Sequence, residues 1–78
     1  MIEFDYYQYI PSDFTGVCKV LATNYIYHMK DGRRHNENGP AAVCKDGSKF
    51  WFINDVCHRE DGPACEYSNG DKDWYYKG

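Results

Sequence analysis

The sequence predicts an all-β domain: an antiparallel meander of short hairpins built on a 23-residue repeat, with room for one short helix near the N-terminus. Three observations predict it. The chain writes one phrase twice, "HNENGPA" from His35 and "HREDGPA" from His58. Asx-Gly and Asx-Asx pairs recur between short apolar runs, the pattern of hairpin turns. Among 78 residues, 18% are aromatic, eight of them Tyr, whereas Leu occurs once, at Leu21. Aromatic and β-branched residues suit a pleated surface better than a helix interface.

The repeat sets the organisation. Shifting the chain by 23 lays Gly39, Pro40 and Ala41 on Gly62, Pro63 and Ala64, Gly47 on Gly70, Trp51 on Trp74 and Phe52 on Tyr75. One further step back places Gly16 under Gly39 but Val17 under Pro40 and His28 under Trp51. Residues 35–57 and 58–78 therefore form two clear units and 14–34 a degenerate one. Residues 1–13 lie outside the repeat, and the whole chain reads as a single domain.

Element by element, residues 2–9 read as an N-terminal strand that ends near Pro11. The stretch 12–22 can start a helix at Ser12, although Gly16 weakens it. Strands follow at Tyr25–Met29, Arg33–His35, Ala41–Lys45, Lys49–Ile53, Val56–His58, Ala64–Tyr67 and Lys72–Tyr76. Asp31-Gly32, Asn54-Asp55, Asp46-Gly47 and Asn69-Gly70 are read as two-residue hairpin turns, because Gly and Asx tolerate positive φ. With Glu66 and Asp73 pointing outward, alternation sends Cys65, Tyr67, Trp74 and Tyr76 inward, matched one unit earlier by Ala42, Cys44, Trp51 and Ile53.

The phrases "HNENGPAAVCKDGSKFWF" and "HREDGPACEYSNGDKDWYYKG" resemble MORN-type repeat variants, with the pattern His-Arg-x-Asp-Gly-Pro-Ala, Asp-Gly, Trp-Tyr. The resemblance covers about residues 25–78. It implies a ribbon of antiparallel hairpins and a setting among small bacteriophage proteins. Such repeats bind lipids or proteins, and no catalytic residue belongs to the motif.

Charge narrows the partners. A net charge of −3 and a pI near 5.4 argue against direct nucleic-acid binding, which calls for a basic patch. No apolar stretch approaches the roughly 18 residues of a membrane span. Met1 leads into acidic Glu3 and Asp5 without an apolar leader core, so the expected compartment is cytoplasmic, in a host cell if the chain is phage-encoded. Cys18, Cys44, Cys57 and Cys65 are then expected as reduced, small hydrophobic residues.

Each candidate for chemistry has a plainer structural explanation. His35 and His58 stand where a catalytic imidazole would be oriented by an Asx three residues on. A pair of identical settings favours a bracing role instead, by hydrogen bonds to backbone or to Asn38 and Asp61. In Asn38-Gly39-Pro40 and Asp61-Gly62-Pro63 the Asx caps backbone N–H groups and Pro opens the next strand without one. Cys57, His58 and Cys65, with His35 or Cys44, have zinc-binding atoms but no Cys-x-x-Cys pair, and adjacent Cys57 and His58 point to opposite faces of a strand. Ser12, Ser48 and Ser68 sit in no nucleophile motif. The expectation is no enzyme activity, no cofactor and no metal.

What is not repeated draws attention. Glu3, Phe4, Asp5, Tyr6, Tyr7 and Tyr9 combine acids with interface-favoured aromatics, and Tyr75, Tyr76 and Lys77 form a lesser cluster. His35, Gly39, Pro40, Trp51, His58, Asp61, Gly62, Pro63 and Trp74 are assigned to the repeat framework. The expected function is a small binding protein that inhibits or redirects a host protein, such as an immune nuclease in an anti-defence role, by steric occlusion. Two alternatives are a nucleotide sponge, with Arg33, Arg34 or Arg59 on phosphate, and an assembly protein that oligomerises through edge strands.

Overall fold

The computed structural model describes residues 1–76, and Lys77 of the C-terminal cluster lies outside them. The all-β class holds. The strands are β1 (Ile2–Phe4), β2 (Gly16–Val20), β3 (Tyr25–Lys30), β4 (Arg33–Arg34), β5 (Ala42–Val43), β6 (Lys49–Phe50), β7 (Phe52–Ile53), β8 (Val56–Cys57), β9 (Cys65–Glu66) and β10 (Lys72–Asp73). The main sheet runs β1-β2-β3-β5-β6-β9-β10, with β4 also on β3, and β7-β8 form a separate hairpin.

The 23-residue offset returns as geometry. The β3–β5 register, Ile26 to Val43 and Tyr27 to Ala42, recurs in β6–β9 as Lys49 to Glu66 and Phe50 to Cys65. The β5–β6 pairing recurs in β9–β10, and β3–β4 in β7–β8. Connecting hydrogen bonds repeat too. His28 N–H donates to Ala41 C=O as Trp51 N–H does to Ala64, and His35 N–H to His28 as His58 N–H to Trp51. The first unit thus keeps the backbone plan after its sequence has eroded. Its one long strand β3 does what β6 and β7 do on either side of Trp51.

Three expectations need correction at the N-terminal end. The strand over 2–9 stops at Phe4, and a 3-10 turn spans Tyr7–Tyr9. No helix forms over 12–22: residues 16–20 are β2, where Val17 and Val20 favour the extended chain. The meander is not wholly antiparallel, because β1 lies parallel to β2. Parallel neighbours need a long return path, and residues 5–15, with the 3-10 turn and Pro11, supply it.

Two turn types replace the single one expected. Asp31-Gly32 and Asn54-Asp55 both have positive φ at each central residue, the type I′ pattern. At Asp46-Gly47 only Gly47 is positive, and Cys44 N–H bonds Ser48 C=O across a three-residue loop. The Asn69-Gly70 loop repeats this, with Tyr67 N–H on Asp71 C=O. These are three-residue loops closed by a left-handed Gly, not two-residue turns.

The core is made of small side chains. Cys18, Val20, Met29, Ala41, Ala42, Phe52, Ala64 and Cys65 are buried. Tyr67, Trp74 and Tyr76, expected inside, are instead exposed, Trp74 to 69%. The face assignment fails too. Cys65 and Asp73 are direct cross-strand partners, so they share a face, and Glu66 shares the other with Lys72. Of the earlier set, Ala42 is buried, whereas Cys44, Trp51 and Ile53 are half-covered. Rings in this fold are covered by the unit that stacks on them. Trp51 lies under the Arg59 guanidinium, and Trp74 has no such cover among the described residues.

Two residue rows cross the main sheet on opposite faces. One reads Ile2, Cys18, Tyr27, Ala42, Phe50, Cys65, Asp73, and the other Glu3, Lys19, Ile26, Val43, Lys49, Glu66, Lys72. Stacked or edge-to-face rings continue along the first face, from Tyr7 through Tyr27, Tyr25 and Phe50 to Tyr67.

Candidate functional site

The two copies of the repeated phrase lie side by side and line a groove of about 670 Å³. Asn36, Glu37, Asn38 and Gly39 come from the first copy, and His58, Arg59, Glu60 and Asp61 from the second. Trp51 and Ile53 complete it. Each phrase folds as a loop closed by its second residue. Asn36 Nδ2 donates to Pro40 C=O at 3.1 Å, and Arg59 Nη1 to Pro63 C=O at 3.0 Å. Asn36 Oδ1 also accepts from Asn38 N–H. Arg59 does more: it meets Asp61 at 3.1 Å and Glu66 at 2.9 Å, and its guanidinium lies 3.9 Å from the centre of the Trp51 ring.

The histidines hold neighbouring units together. His35 Nδ1 accepts from Asn54 N–H at 3.1 Å, so the ring proton sits on Nε2. That fits the expected bracing against backbone, although the bond goes to the β7–β8 turn rather than to Asn38. His35 Nε2 is buried without a hydrogen-bond partner among the described residues, 3.8 Å from Glu37. His58 repeats that distance to Glu60 and packs on Tyr76, ring centres 4.8 Å apart. Arg34 reaches the same turn, bonding Asp55 at 2.9 Å and covering Phe52 at 4.0 Å. Both Arg34 and Arg59 are thus engaged by carboxylates and rings of their own chain, and Arg33 is the exposed one of the three.

Glu37, Glu60 and Asp61 are largely exposed at the groove, against the one guanidinium of Arg59. Its chemistry suits a cationic or hydrogen-bond-donating group and repels phosphate. Arg59 and Asn36 carry the loop geometry; the sequence offered Arg59 only as a phosphate contact and Asn36 not at all. The signal was present: both second positions hold a side-chain N–H donor long enough to reach the Pro carbonyl.

The unrepeated N-terminal residues form a second surface. Tyr6 and Tyr9 are exposed to 50% and 58%, their rings edge to face at 5.6 Å. Tyr7 is anchored on Tyr27 at 5.2 Å, and its burial pushes its phenol above the ordinary value, against the pull of Arg34. Glu3 and Asp5 are exposed beside them, while Phe4 turns in against Phe14. Tyr75 and Tyr76 lie at the far end of the sheet from this surface. Tyr75 C=O accepts from Arg59 N–H.

Cysteines and acids are placed as packing and turn residues. All four Cys are free thiols, with Cys18 and Cys65 buried. Burial, then Cys57, pushes the Cys65 thiol up to about 11. Asp46 accepts from Ser48 N–H and from the Ser68 hydroxyl, bonds that hold its carboxyl below the usual range. Among the described residues no three His, Cys, Asp or Glu gather as a metal site, and no helix is long and apolar enough to cross a membrane.

No family model, curated protein or solved structure matches this chain.

Proposed function

We propose that this is a non-enzymatic binding protein that docks on a basic surface of another macromolecule and blocks it by steric occlusion. The observation that carries the reading is the N-terminal platform: exposed Tyr6 and Tyr9 at the start and end of a 3-10 turn, with Tyr7 anchored beneath and Glu3 and Asp5 alongside. Rigid amphipathic rings give contact area at low entropy cost, and adjacent carboxylates steer a cationic partner. The acidic groove between the repeated phrases supports the same preference for positive charge. The MORN-type resemblance supplies the setting. The protein acts in the host cytoplasm, on a host protein such as an immune nuclease, without contacting nucleic acid itself.

The test is affinity capture from bacterial host lysate with the wild-type chain and with a Tyr6→Ser, Tyr9→Ser double variant. The reading expects one specific partner, lost with the variant and weakened by raised salt. Capture of nothing specific, or heat from a nucleotide panel in titration calorimetry, would overturn it. The second outcome favours the nucleotide sponge.

A further inference from the structure

The two outer strands of the main sheet, β1 and β10, are both unpaired on their outer side among the described residues. We propose that a second copy of this chain fills each edge, so that copies join head to tail through β10 of one and β1 of the next. This goes beyond the binding function above and does not depend on it.

Three features of the sheet select this arrangement. The first is polarity. Neighbours alternate in direction from β2 through β10, and β1 runs parallel to β2. A second copy added head to tail as a twisted continuation of the sheet therefore has its β1 antiparallel to β10, continuing the alternation. The second is charge. The charged row ends Lys49, Glu66, Lys72 at one edge and begins Glu3, Lys19 at the other. Pairing Lys72 with the next copy's Glu3 extends the alternation of sign without a break, and opposite charges directly across strands stabilise the pairing. The third is apolar cover. Carried on by two residues, the same register sets Trp74 opposite the next copy's Met1. These are two of the most exposed large apolar residues, at 69% and 74%.

A two-fold dimer through β10 fits less well. Antiparallel pairing of β10 with itself must centre on Lys72 or Asp73, and either choice places like charges opposite each other. Charges on an edge strand ordinarily guard against such pairing. On β10 the guard is selective, repelling a copy of the same edge and admitting β1. Such a contact joins two different edges and so leaves one of each free on every assembly, and the product grows beyond a dimer as a chain of copies.

Charge reversal tests the arrangement. In sedimentation velocity across a concentration series, the wild-type chain associates beyond the dimer. The Lys72→Glu and Glu3→Lys chains, each alone, associate about tenfold more weakly, the size expected when an attractive cross-strand pair becomes repulsive. Mixed in equal amounts they regain wild-type association, because each edge of one chain then faces an opposite charge on the other. A Trp74→Ser chain, which leaves the charged row intact, also associates more weakly. Circular dichroism matching wild type shows that each variant is folded. A wild-type chain that is monomeric at about millimolar concentration, or that saturates as a dimer, overturns the proposal, as does a mixture no better associated than its components.

Discussion

Replacing Arg59 by Ala probes the groove's framework at the residue that does most. The substitution takes the donor from Pro63 C=O, which lies in a buried residue, at a cost of about 1–3 kcal/mol. It uncovers the Trp51 ring, losing about 0.5–2 kcal/mol of cation–π attraction. The pair with exposed Asp61 is worth little, about 0–1 kcal/mol. One side chain makes all these contacts, so they do not add fully, and the expected total is about 3 kcal/mol. For a domain of this size that is a large share of a stability of roughly 5–10 kcal/mol. Urea unfolding followed by tryptophan fluorescence reads it as a lower midpoint at unchanged slope. Asn36→Ala removes the equivalent bond to Pro40 without a ring contact and should cost only about 1 kcal/mol. Arg59→Lys should recover less than half of the loss, because an ammonium lacks the planar fork that stacks on a ring while donating twice. Equal costs for Arg59→Ala and Asn36→Ala, or full rescue by Lys, would refute the assignment of stability to the stacked fork.

Gly32→Ala should destabilise by more than about 2 kcal/mol in the same urea assay, because φ is +75° and a Cβ would stand 2.1 Å from Ser12 C=O. Gly47→Ala, at φ +94° but in open space, carries only the conformational strain of about 1–2 kcal/mol. Alkylation at pH 8 should label Cys44 and Cys57 well before Cys18 and Cys65, with all four reacting in urea. A raised thiol stabilises the fold below the unfolded value and loses that contribution as pH climbs toward about 11, so stability should fall in that window and Cys65→Ala should flatten the fall. Asp46 has the opposite sign: its contribution is present above the unfolded carboxyl value and is lost as acid titrates its depressed group, so Asp46→Ala should reduce stability at pH 6 more than at pH 3.

The elements were legible where their causes are local. Asx-Gly and Asx-Asx pairs dictate turns through the φ of one or two residues, and every expected strand from Tyr25 onward overlaps an observed one. The 23-residue period survives as repeated registers because the turn spacing fixes them. Burial was less legible, because it depends on what stacks next. Trp51 and Trp74 occupy equivalent places, yet Trp51 lies under Arg59, whereas Trp74 is exposed among the described residues. The face of Asp73 was misread because residues 67–71 form a loop, so strand alternation cannot be counted through it. The parallel β1 depends on a chain reversal through Pro11 and on the fit of Gly32 against Ser12, both long-range. At the groove Asn36 gives way to Arg59 and Asn38 to Asp61, a change of charge between the two copies. The structure shows the second residue keeping one task, closure of the loop on a proline carbonyl, in two chemical forms.

The recurrence of the same backbone bonds every 23 residues has a further consequence. A unit such as 35–57 is joined by backbone bonds to the unit before it and to the unit after it. Its junctions, such as His28 to Ala41 and Trp51 to Ala64, have the same form at either end. An inserted copy would find each of its own junctions already specified, and the growth of such a chain by duplication requires no new interface to be invented.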